Sequence, residues 1–201
     1  MNKECLDFFD RNASAWDSWE KADIGIAINC ILDKIKLRPE DVVLDVGSGT
    51  GILVPFLEAR GVDGYTGVDF SEKMTAQARL KFPGSNMICL DYERPGFFAE
   101  GRFTRIIIYN AFPHFENKRK VFANSFNYLM PGGGFYIVHS MSREALNAHH
   151  AKTGGPVISH MLEDAKKLRE YFAEAGFKAV IVEDGRFFFA SGIKPVISSP
   201  L

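Results

Sequence analysis

The sequence predicts an α/β fold in which a mostly parallel sheet is flanked by helices. Three observations support this prediction. Short apolar runs alternate with helical patterns through five predicted strands. The first of these runs ends in three alternating glycines. The last two strand patterns are joined by Asp184-Gly185, a dipeptide typical of a β-hairpin.

The composition indicates one globular domain. The chain has 201 residues, of which 46% are hydrophobic and 24% are charged. A net charge of -1 without a basic block argues against nucleic acid as the main partner. The three cysteines, Cys5, Cys30 and Cys89, lack metal or disulfide spacing, and no signal core or long apolar run occurs. We therefore expect a cytoplasmic protein without a membrane span, and the oligomeric state is left open.

Two helical patterns precede the first strand. Residues 4–20 mix acids with large apolar side chains, among them Phe9 and Trp16, that could form one interrupted stripe. Residues 23–36 repeat isoleucine at helical spacing, and Pro39 ends that helix.

The glycine-rich turn follows a strand over residues 42–46. Residues 42–51 read VVLDVGSGTG, with Gly47, Gly49 and Gly51 at alternate positions and a helix predicted from Ile52 to Arg60. Glycine allows a sharp turn and close approach of a ligand, and a helix start offers unpaired N–H groups. The spacing differs from a P-loop and from G-x-G-x-x-G. The turn therefore predicts a site for a nucleotide-like molecule.

An acidic residue ends the second predicted strand. Residues 64–70 read GYTGVDF, and Asp69 lies about 20 residues beyond the glycines, the spacing at which an acid binds ribose hydroxyls. A carboxylate can accept from two hydroxyls at once. Ser71 is the better candidate to cap the next helix. These observations favour a ribose-binding role for Asp69.

Three segments resemble a known family. The sequence VLDVGSGTG, with Asp45 before the glycines, resembles the first motif of the class I S-adenosylmethionine-dependent methyltransferases. The sequence LMPGGGFYIV resembles the family's motif at the fifth strand, and FFDRNASAWD resembles the N-terminal segment of the ubiquinone and menaquinone biosynthesis group. The resemblance covers about residues 8–193.

The resemblance implies a single domain over residues 1–201 with a Rossmann-like seven-stranded, mostly parallel sheet and a C-terminal antiparallel hairpin. Within it, residues 1–37 would form a helical lid, residues 38–193 the core and residues 194–201 a tail. A helical hairpin that only packs on the sheet edge is the alternative for the N-terminal segment. S-adenosyl-L-methionine is the implied cofactor. The residues that would bind it are Asp45, Gly47, Gly49, Gly51, Asp69, Phe70, Asp91, Tyr92 and Asn110.

Some of these residues have implied roles. Asp91 would accept a hydrogen bond from the adenine amine, and Tyr92 would touch the ring. Asn110, at the end of a fourth strand over residues 103–110, would contact the methionine part of the cofactor. His114 follows in the loop where ligands bind in open α/β sheets.

The second half continues the alternation. A helix is predicted to run to Leu129 and to end at residues 131–134, PGGG, before a fifth strand over residues 135–138. A later helix runs from Met161 to Ala175, followed by strands over residues 177–182 and 187–193.

Four histidines fall between the fifth strand and that later helix: His139, His149, His150 and His160. His139 ends the strand and should face the cleft, whereas His149 and His150 end a helix led by Ser142. Residues 154–156 break the chain, and Ser159 would cap the next helix and place a neutral His160 at its first residue.

Three interpretations of these histidines remain open. His139, His150 and His160 could bind a divalent metal, although their spacing matches no standard zinc pattern. His139, His114 and then His150 could act as a catalytic base. They could also be separate polar residues of a loop.

The leading hypothesis is methyl transfer from S-adenosylmethionine to a small-molecule acceptor, in which most catalysis comes from alignment of the reactants. A base is needed only where the acceptor loses a proton. The alternative is a non-catalytic S-adenosylmethionine-binding protein or a metal-binding sensor that uses the histidines from His139 to His160.

Overall fold

The computed structural model describes residues 3–19, 24–153, 158 and 160–196. These residues form a seven-stranded sheet with the order β3-β2-β1-β4-β5-β7-β6. The first five strands are mutually parallel, and β7 runs antiparallel to both β5 and β6. The predicted fold class is confirmed. The strands are β1 (Val42–Val46), β2 (Gly64–Asp69), β3 (Asn86–Cys89), β4 (Phe103–Tyr109), β5 (Leu129–His139), β6 (Lys178–Asp184) and β7 (Phe188–Ile193).

Seven α-helices occur within the described residues, with short 3₁₀ helices at Trp16–Trp19 and Phe112–His114. The helix predicted from Ile52 is shorter, because its first residues form turns after the glycines. The helices are α1 (Lys3–Asn12), α2 (Ile24–Ile35), α3 (Val54–Glu58), α4 (Glu72–Lys81), α5 (Lys118–Tyr128), α6 (Arg143–Thr153) and α7 (Ala165–Glu174).

Strand β5 is longer than predicted. The sequence favoured glycines that end a helix, but the strand already begins at Leu129 and includes them. Phe103 pairs with Leu129, and Arg105 pairs with Gly134, so the additional residues of β5 form a bulge between these pairs. Gly132 has a φ of 83° in that bulge, a conformation that glycine adopts without strain.

Helix α7 begins later than predicted. Asp164 caps it by accepting a hydrogen bond from the backbone N–H of Lys167 at 2.8 Å. His160 therefore lies in irregular chain four residues before the cap, and the prediction that it opens the helix was wrong. Ser159 and residues 154–156 lie outside the described residues, as do residues 197–201 of the predicted tail.

The sheet is buried on both faces. Successive residues of each strand point to opposite faces, so Ile106 and Ile108 belong to one core cluster and Ile107 to another. Helices α5 and α7 cover the first face, and α2 and α3 cover the second. This arrangement explains the continuous apolar run in β4.

The N-terminal helix packs beside α4. Cys5 and Phe9 of α1 form a small apolar cluster with Met74 of α4. This packing holds the segment near the C-terminal ends of β2 and β3, since α4 connects those two strands. Within the described ranges, no helix combines the length and apolar character needed to cross a bilayer.

Candidate active site

A cavity of about 530 Å³ opens at the C-terminal edge of the parallel strands. One part is formed by the glycine turn and the ends of β2 and β3, and another by residues that follow β4 and β5 together with α6. Such an edge is where open α/β sheets bind ligands. The residues discussed below that line it are Phe9, Trp16, Gly47, Gly49, Thr50, Asp69, Phe70, Asp91, Tyr92, Asn110, His114, Ser140, Met141, Leu146, His149, His150 and Arg186.

The glycine turn forms the floor of the first part. The backbone N–H groups of Gly47 and Ser48 both donate to the carbonyl of Val68, at 2.8 and 3.0 Å. Gly47 has a φ of 74°, and a Cβ there would lie 2.5 Å from the Cβ of Ala111. A side chain is therefore excluded at Gly47, which keeps the main chain open to a ligand.

The third glycine has a different environment. A Cβ on Gly51 would meet the ring of Phe82 at 3.0 Å and the methyl carbon of Met87 at 3.1 Å, and Gly51 does not line the cavity. The spacing alone could not separate this packing position from Gly47 and Gly49, which do line the cavity.

Asp69 is fixed at the end of β2. Its two carboxylate oxygens accept hydrogen bonds from the backbone N–H groups of Gly49 and Ser71, each at 2.9 Å. Burial raises the pKa of Asp69 to about 6, although these hydrogen bonds oppose the shift. Each oxygen retains a second lone pair, so the carboxylate can still accept from ligand hydroxyls.

Asp45 does not line the cavity. It is almost completely buried beneath the turn and accepts a hydrogen bond from the Tyr65 hydroxyl at 3.0 Å. Burial raises the pKa of Asp45 to about 7. The structure thus places this predicted cofactor-binding residue behind the cavity wall, where it can support the turn.

The four remaining predicted cofactor residues follow β2 and line the cavity: Phe70, Asp91, Tyr92 and Asn110. Asp91 accepts from the backbone N–H of Glu93 at 3.1 Å, while the Tyr92 hydroxyl is bound to Ser125 Oγ at 3.0 Å. Only the ring of Tyr92 is therefore available to a ligand, in keeping with the expected ring contact.

Asn110 has a strained backbone. Its φ is 52°, and its side-chain oxygen accepts from the backbone N–H of Ser140 at 2.9 Å. Positive φ at a non-glycine residue costs free energy and persists where surrounding contacts enforce it. Here the hydrogen bond joins the loops after β4 and β5 at the cavity wall.

Three histidines come together in the second part of the cavity. His114 Nδ1 lies 3.0 Å from His160 Nδ1, and the rings of His114 and His150 lie 5.3 Å apart. His150 Nδ1 is hydrogen-bonded to the backbone carbonyl of His160. Burial lowers the pKa of all three residues, and mutual repulsion lowers the pKa of His114 further. The cluster is therefore neutral near pH 7.

The prediction that His139 faces the cleft was wrong. Strand alternation puts His139 on the same face as Phe135 and Ile137, where its ring lies 6.3 Å from that of Phe188. It is completely buried, and neither ring nitrogen has a hydrogen-bond partner among the described residues. Burial lowers its pKa to about 3.

The metal hypothesis is not supported. In the part of the chain that the structure describes, no group of three or more histidine, cysteine, aspartate or glutamate side chains could hold a metal ion. His139 is buried behind the cavity, and His150 directs Nδ1 to a carbonyl rather than to a shared centre. His139, His150 and His160 thus do not form the site that their clustering in the sequence suggested.

The N-terminal segment contacts the cavity from above the strand ends. The Phe9 ring lies 5.2 Å from His114 and 5.9 Å from Phe70, and Trp16 packs against Phe9. Asp17 accepts from Thr50 Oγ1 at 2.5 Å and pairs with Lys81 at 2.7 Å. These polar contacts attach the segment to the glycine turn and to α4.

Comparisons with known proteins identify the domain. Residues 44–137 match a family model described as a methyltransferase domain. No curated protein matches the chain closely enough to count as a relative.

Solved structures share the fold. A chain from the complex between the Haloferax volcanii Trm112 methyltransferase activator and the putative methyltransferase has a TM-score of 0.78 and 18% identity, and covers 94% of this chain and 98% of that one. A putative S-adenosylmethionine-dependent methyltransferase from Methanococcus maripaludis has a TM-score of 0.77 and 16% identity, with 98% of each chain covered. Haemonchus contortus phosphoethanolamine N-methyltransferase 2, in complex with S-adenosyl-L-methionine, has a TM-score of 0.70 and 16% identity, with 84% of this chain and 52% of that chain covered.

The matched domain begins in β1 and ends in β5, so it contains the glycine turn, Asp69 and the loop after β4. Residues 44–137 therefore match a methyltransferase domain, and solved structures described as S-adenosylmethionine-dependent methyltransferases share the fold of the chain. Haemonchus contortus phosphoethanolamine N-methyltransferase 2, which shares the fold, has been solved with S-adenosylmethionine and with S-adenosylhomocysteine. The narrower resemblance to the ubiquinone and menaquinone group stays a prediction.

The sequence did not indicate some of the residues that line the cavity. Ser140 and Met141 follow β5, and Arg186 lies in the β6–β7 turn. The sequence did contain a signal for Arg186, because the Asp184-Gly185 hairpin was recognised. If β7 runs antiparallel to β5, the turn of that hairpin lies at the C-terminal edge of the parallel strands. The sequence did not reveal which strand β7 pairs with.

Proposed function

We propose that this protein transfers a methyl group from S-adenosylmethionine to a small-molecule acceptor that binds beside the histidine cluster. The observation that carries the proposal is one continuous cavity lined both by the glycine turn and by His114 and His150. Its volume of about 530 Å³ falls in the range of small-molecule sites. Phe9 and Trp16 also line it, which favours a compact acceptor over a macromolecular one.

The residues of the first part fit the cofactor. Gly47 leaves an open backbone where a Cβ cannot be accommodated, and Asp69 keeps free lone pairs for the ribose hydroxyls. Asp91 and the Tyr92 ring would hold the adenine, and Asn110 would contact the methionine part. When bound, S-adenosylmethionine supplies a methyl group on a positively charged sulfur.

The residues of the second part would receive the acceptor. His150 and His114 are the candidate bases, because both line the cavity and their lowered pKa values keep them neutral. His139 is not retained for this role, since its ring is completely buried. An acceptor that is already a good nucleophile would need only the alignment that the cavity provides.

We further propose that residues 1–37 act as a lid. Phe9 touches both parts of the cavity through Phe70 and His114, and Asp17 binds Thr50 of the glycine turn. Lifting this segment would open the cavity to solvent, and closing it would exclude water from the reactants.

The first test is cofactor binding. We expect calorimetry to detect S-adenosylmethionine binding and Asp69→Ala to weaken it at least tenfold, because the ribose loses its acceptor. Asp69→Asn keeps the side-chain size and one oxygen, and should show an intermediate loss in a folded protein. Asp63→Ala is the matched control, since Asp63 is exposed and precedes the same strand. Equal binding in Asp69→Ala and the wild type would remove the ribose assignment.

The second test is turnover. A screen of small alcohols, amines, thiols and acids, read out as S-adenosylhomocysteine release, should yield an acceptor. A protein that binds S-adenosylmethionine but methylates only macromolecules would contradict the proposal. Binding without any turnover would favour the non-catalytic alternative.

A further inference from the structure

The cavity has an uneven charge distribution. Among its described lining residues, Arg186 is the single lysine or arginine, whereas Asp69 and Asp91 are its acids. The two acids follow β2 and β3, on one side of the sheet. Arg186 lies in the turn before β7, on the other side of β1 and β4. The cation therefore belongs to the part of the cavity that the proposed function assigns to the acceptor.

The turn that carries Arg186 is attached to the cavity wall at both ends. The backbone N–H of Arg143 donates to Asp184 Oδ1 at 2.9 Å, and the backbone N–H of Phe188 donates to the carbonyl of Met141 at 3.1 Å. Met141 itself lines the cavity. The two hydrogen bonds hold residues 184–188 against the segment after β5, so the fold sets the backbone position of Arg186, whose side chain is exposed.

The Arg186 guanidinium has no protein partner within the described part of the chain. No hydrogen bond, ion pair or ring contact involves it, although most other arginines form at least one. The nearest acid in sequence, Asp184, already accepts the hydrogen bond from Arg143. Five N–H donors in a planar fork thus remain available at the cavity.

The neighbouring histidines do not supply a second cation. The pKa of His150 is lowered by burial, and the pKa of His114 is lowered well below its usual value. Among the described lining residues, Arg186 is thus the single side chain that is always charged. A planar fork of this kind binds carboxylate and phosphate groups through two parallel hydrogen bonds.

From these observations we infer that the methyl acceptor carries an anionic group, a carboxylate or a phosphate, that binds Arg186. The inference rests on the proposed function and adds the chemical class of the acceptor. Met141 and Leu146 give this part of the cavity an apolar wall, so the remainder of the acceptor contacts apolar side chains between Arg186 and His150.

The test uses paired probes on the full chain saturated with S-adenosylhomocysteine. Benzoate is compared with benzamide, and phenyl phosphate with phenol, by calorimetry at low salt. We expect at least one anion to bind tenfold or more tightly than its neutral partner. Arg186→Gln should abolish this preference, and Arg186→Lys should keep part of it because the charge remains. The preferred anion distinguishes a carboxylate from a phosphate site.

Arg38→Gln is the control, because Arg38 is exposed and precedes β1 at the opposite edge of the sheet. The absence of any anion preference in the wild type, or an equal preference in Arg186→Gln, would overturn the inference. Binding of S-adenosylhomocysteine is measured first in each variant. If the wild type does not bind S-adenosylhomocysteine, the proposed function itself is contradicted. If it binds S-adenosylhomocysteine but shows no anion preference, only the role of Arg186 is contradicted.

Discussion

The proton position on His150 is set by the backbone of another segment. A carbonyl oxygen can only accept, so the hydrogen bond to the His160 carbonyl requires the proton on Nδ1 of His150. The Nε2 atom then carries a lone pair. His150 also lines the cavity. His150 therefore has the tautomer that a catalytic base needs.

Replacing His150 gives a prediction at this scale. For an acceptor that must lose a proton, His150→Ala should lower kcat by about 100-fold, the lower end of base catalysis. Binding of S-adenosylmethionine should stay unchanged, and added imidazole should restore part of the rate. Glu144→Ala, on an exposed residue of the same helix, serves as the control. Equal kcat values for His150→Ala and the wild type would assign base catalysis to His114 or to none of the histidines.

The site residues differ in how well the sequence could predict them. Gly47 and Asp69 could be placed at the cavity from the sequence, because their positions depend on local backbone geometry and on a fixed spacing between neighbouring strands. His139 was expected to face the cleft although it is buried, because a strand buried on both faces gives no polar alternation that reveals which residues line the cavity. Arg186 was missed because its significance depends on a strand pairing that is distant in sequence.

The N-terminal segment is connected to the cavity by a small number of polar contacts. Asp17 links it to Thr50 and Lys81, and Asp10 accepts a hydrogen bond from the hydroxyl of Ser71. Asp17 and Lys81 are both partly exposed, so this pair adds only about 1 kcal/mol or less to the attachment. A weak ion pair of this kind is compatible with the proposed lid, although the segment is also held by the apolar cluster of Cys5, Phe9 and Met74.

Weakening this attachment gives the second prediction. Asp17→Asn should leave the fold intact and speed release of S-adenosylmethionine several-fold, because the segment opens more often. Stopped-flow measurement of release detects the change, and limited proteolysis should cleave the segment faster. Asp7→Asn, on the exposed side of α1, should match the wild type. If both variants release the cofactor at the wild-type rate, the segment is a fixed part of the wall.

Element boundaries show the same dependence on distant contacts. Helix α2 and strand β4 follow the periodicity of their own residues and were predicted closely. Strand β5 extends through its glycines because pairing with β4 and β7 stabilises that conformation. The start of α7 depends on Asp164, a cap that the sequence reasoning passed over in favour of Ser159.

At the scale of the whole molecule, a rise in pH changes the free energy of unfolding in opposite directions through the buried acids and through the buried histidines. The pKa values of Asp45 and Asp69 are raised to about 7 and about 6, so the folded state holds protons that the unfolded state releases above pH 4. Their contribution to stability falls as the pH rises towards those values. The histidines have lowered pKa values, so they favour the folded state above pH 6.5 and oppose it as the pH falls.

The contribution of one buried histidine, His139, to the pH dependence of stability can be measured. Its pKa is about 3 in the folded state against an ordinary value of 6.5, so only the unfolded state takes up its proton at pH 5. Because of this proton uptake by the unfolded state, the free energy of unfolding of the wild type falls by about 2 kcal/mol between pH 8 and pH 5. His139→Leu removes this cost together with two unpartnered buried nitrogens. We therefore expect urea unfolding to show that the free energy of unfolding of His139→Leu, relative to that of the wild type, is about 2 kcal/mol higher at pH 5 than at pH 8.

The same variant separates a structural from a catalytic role. S-adenosylmethionine binding and kcat should be retained in His139→Leu, because the imidazole is completely buried and does not line the cavity. If the difference in free energy of unfolding between His139→Leu and the wild type is the same at pH 5 and at pH 8, His139 takes up its proton as readily in the folded state as in the unfolded state. That result requires water to reach a ring that is completely buried and lies beside Phe188.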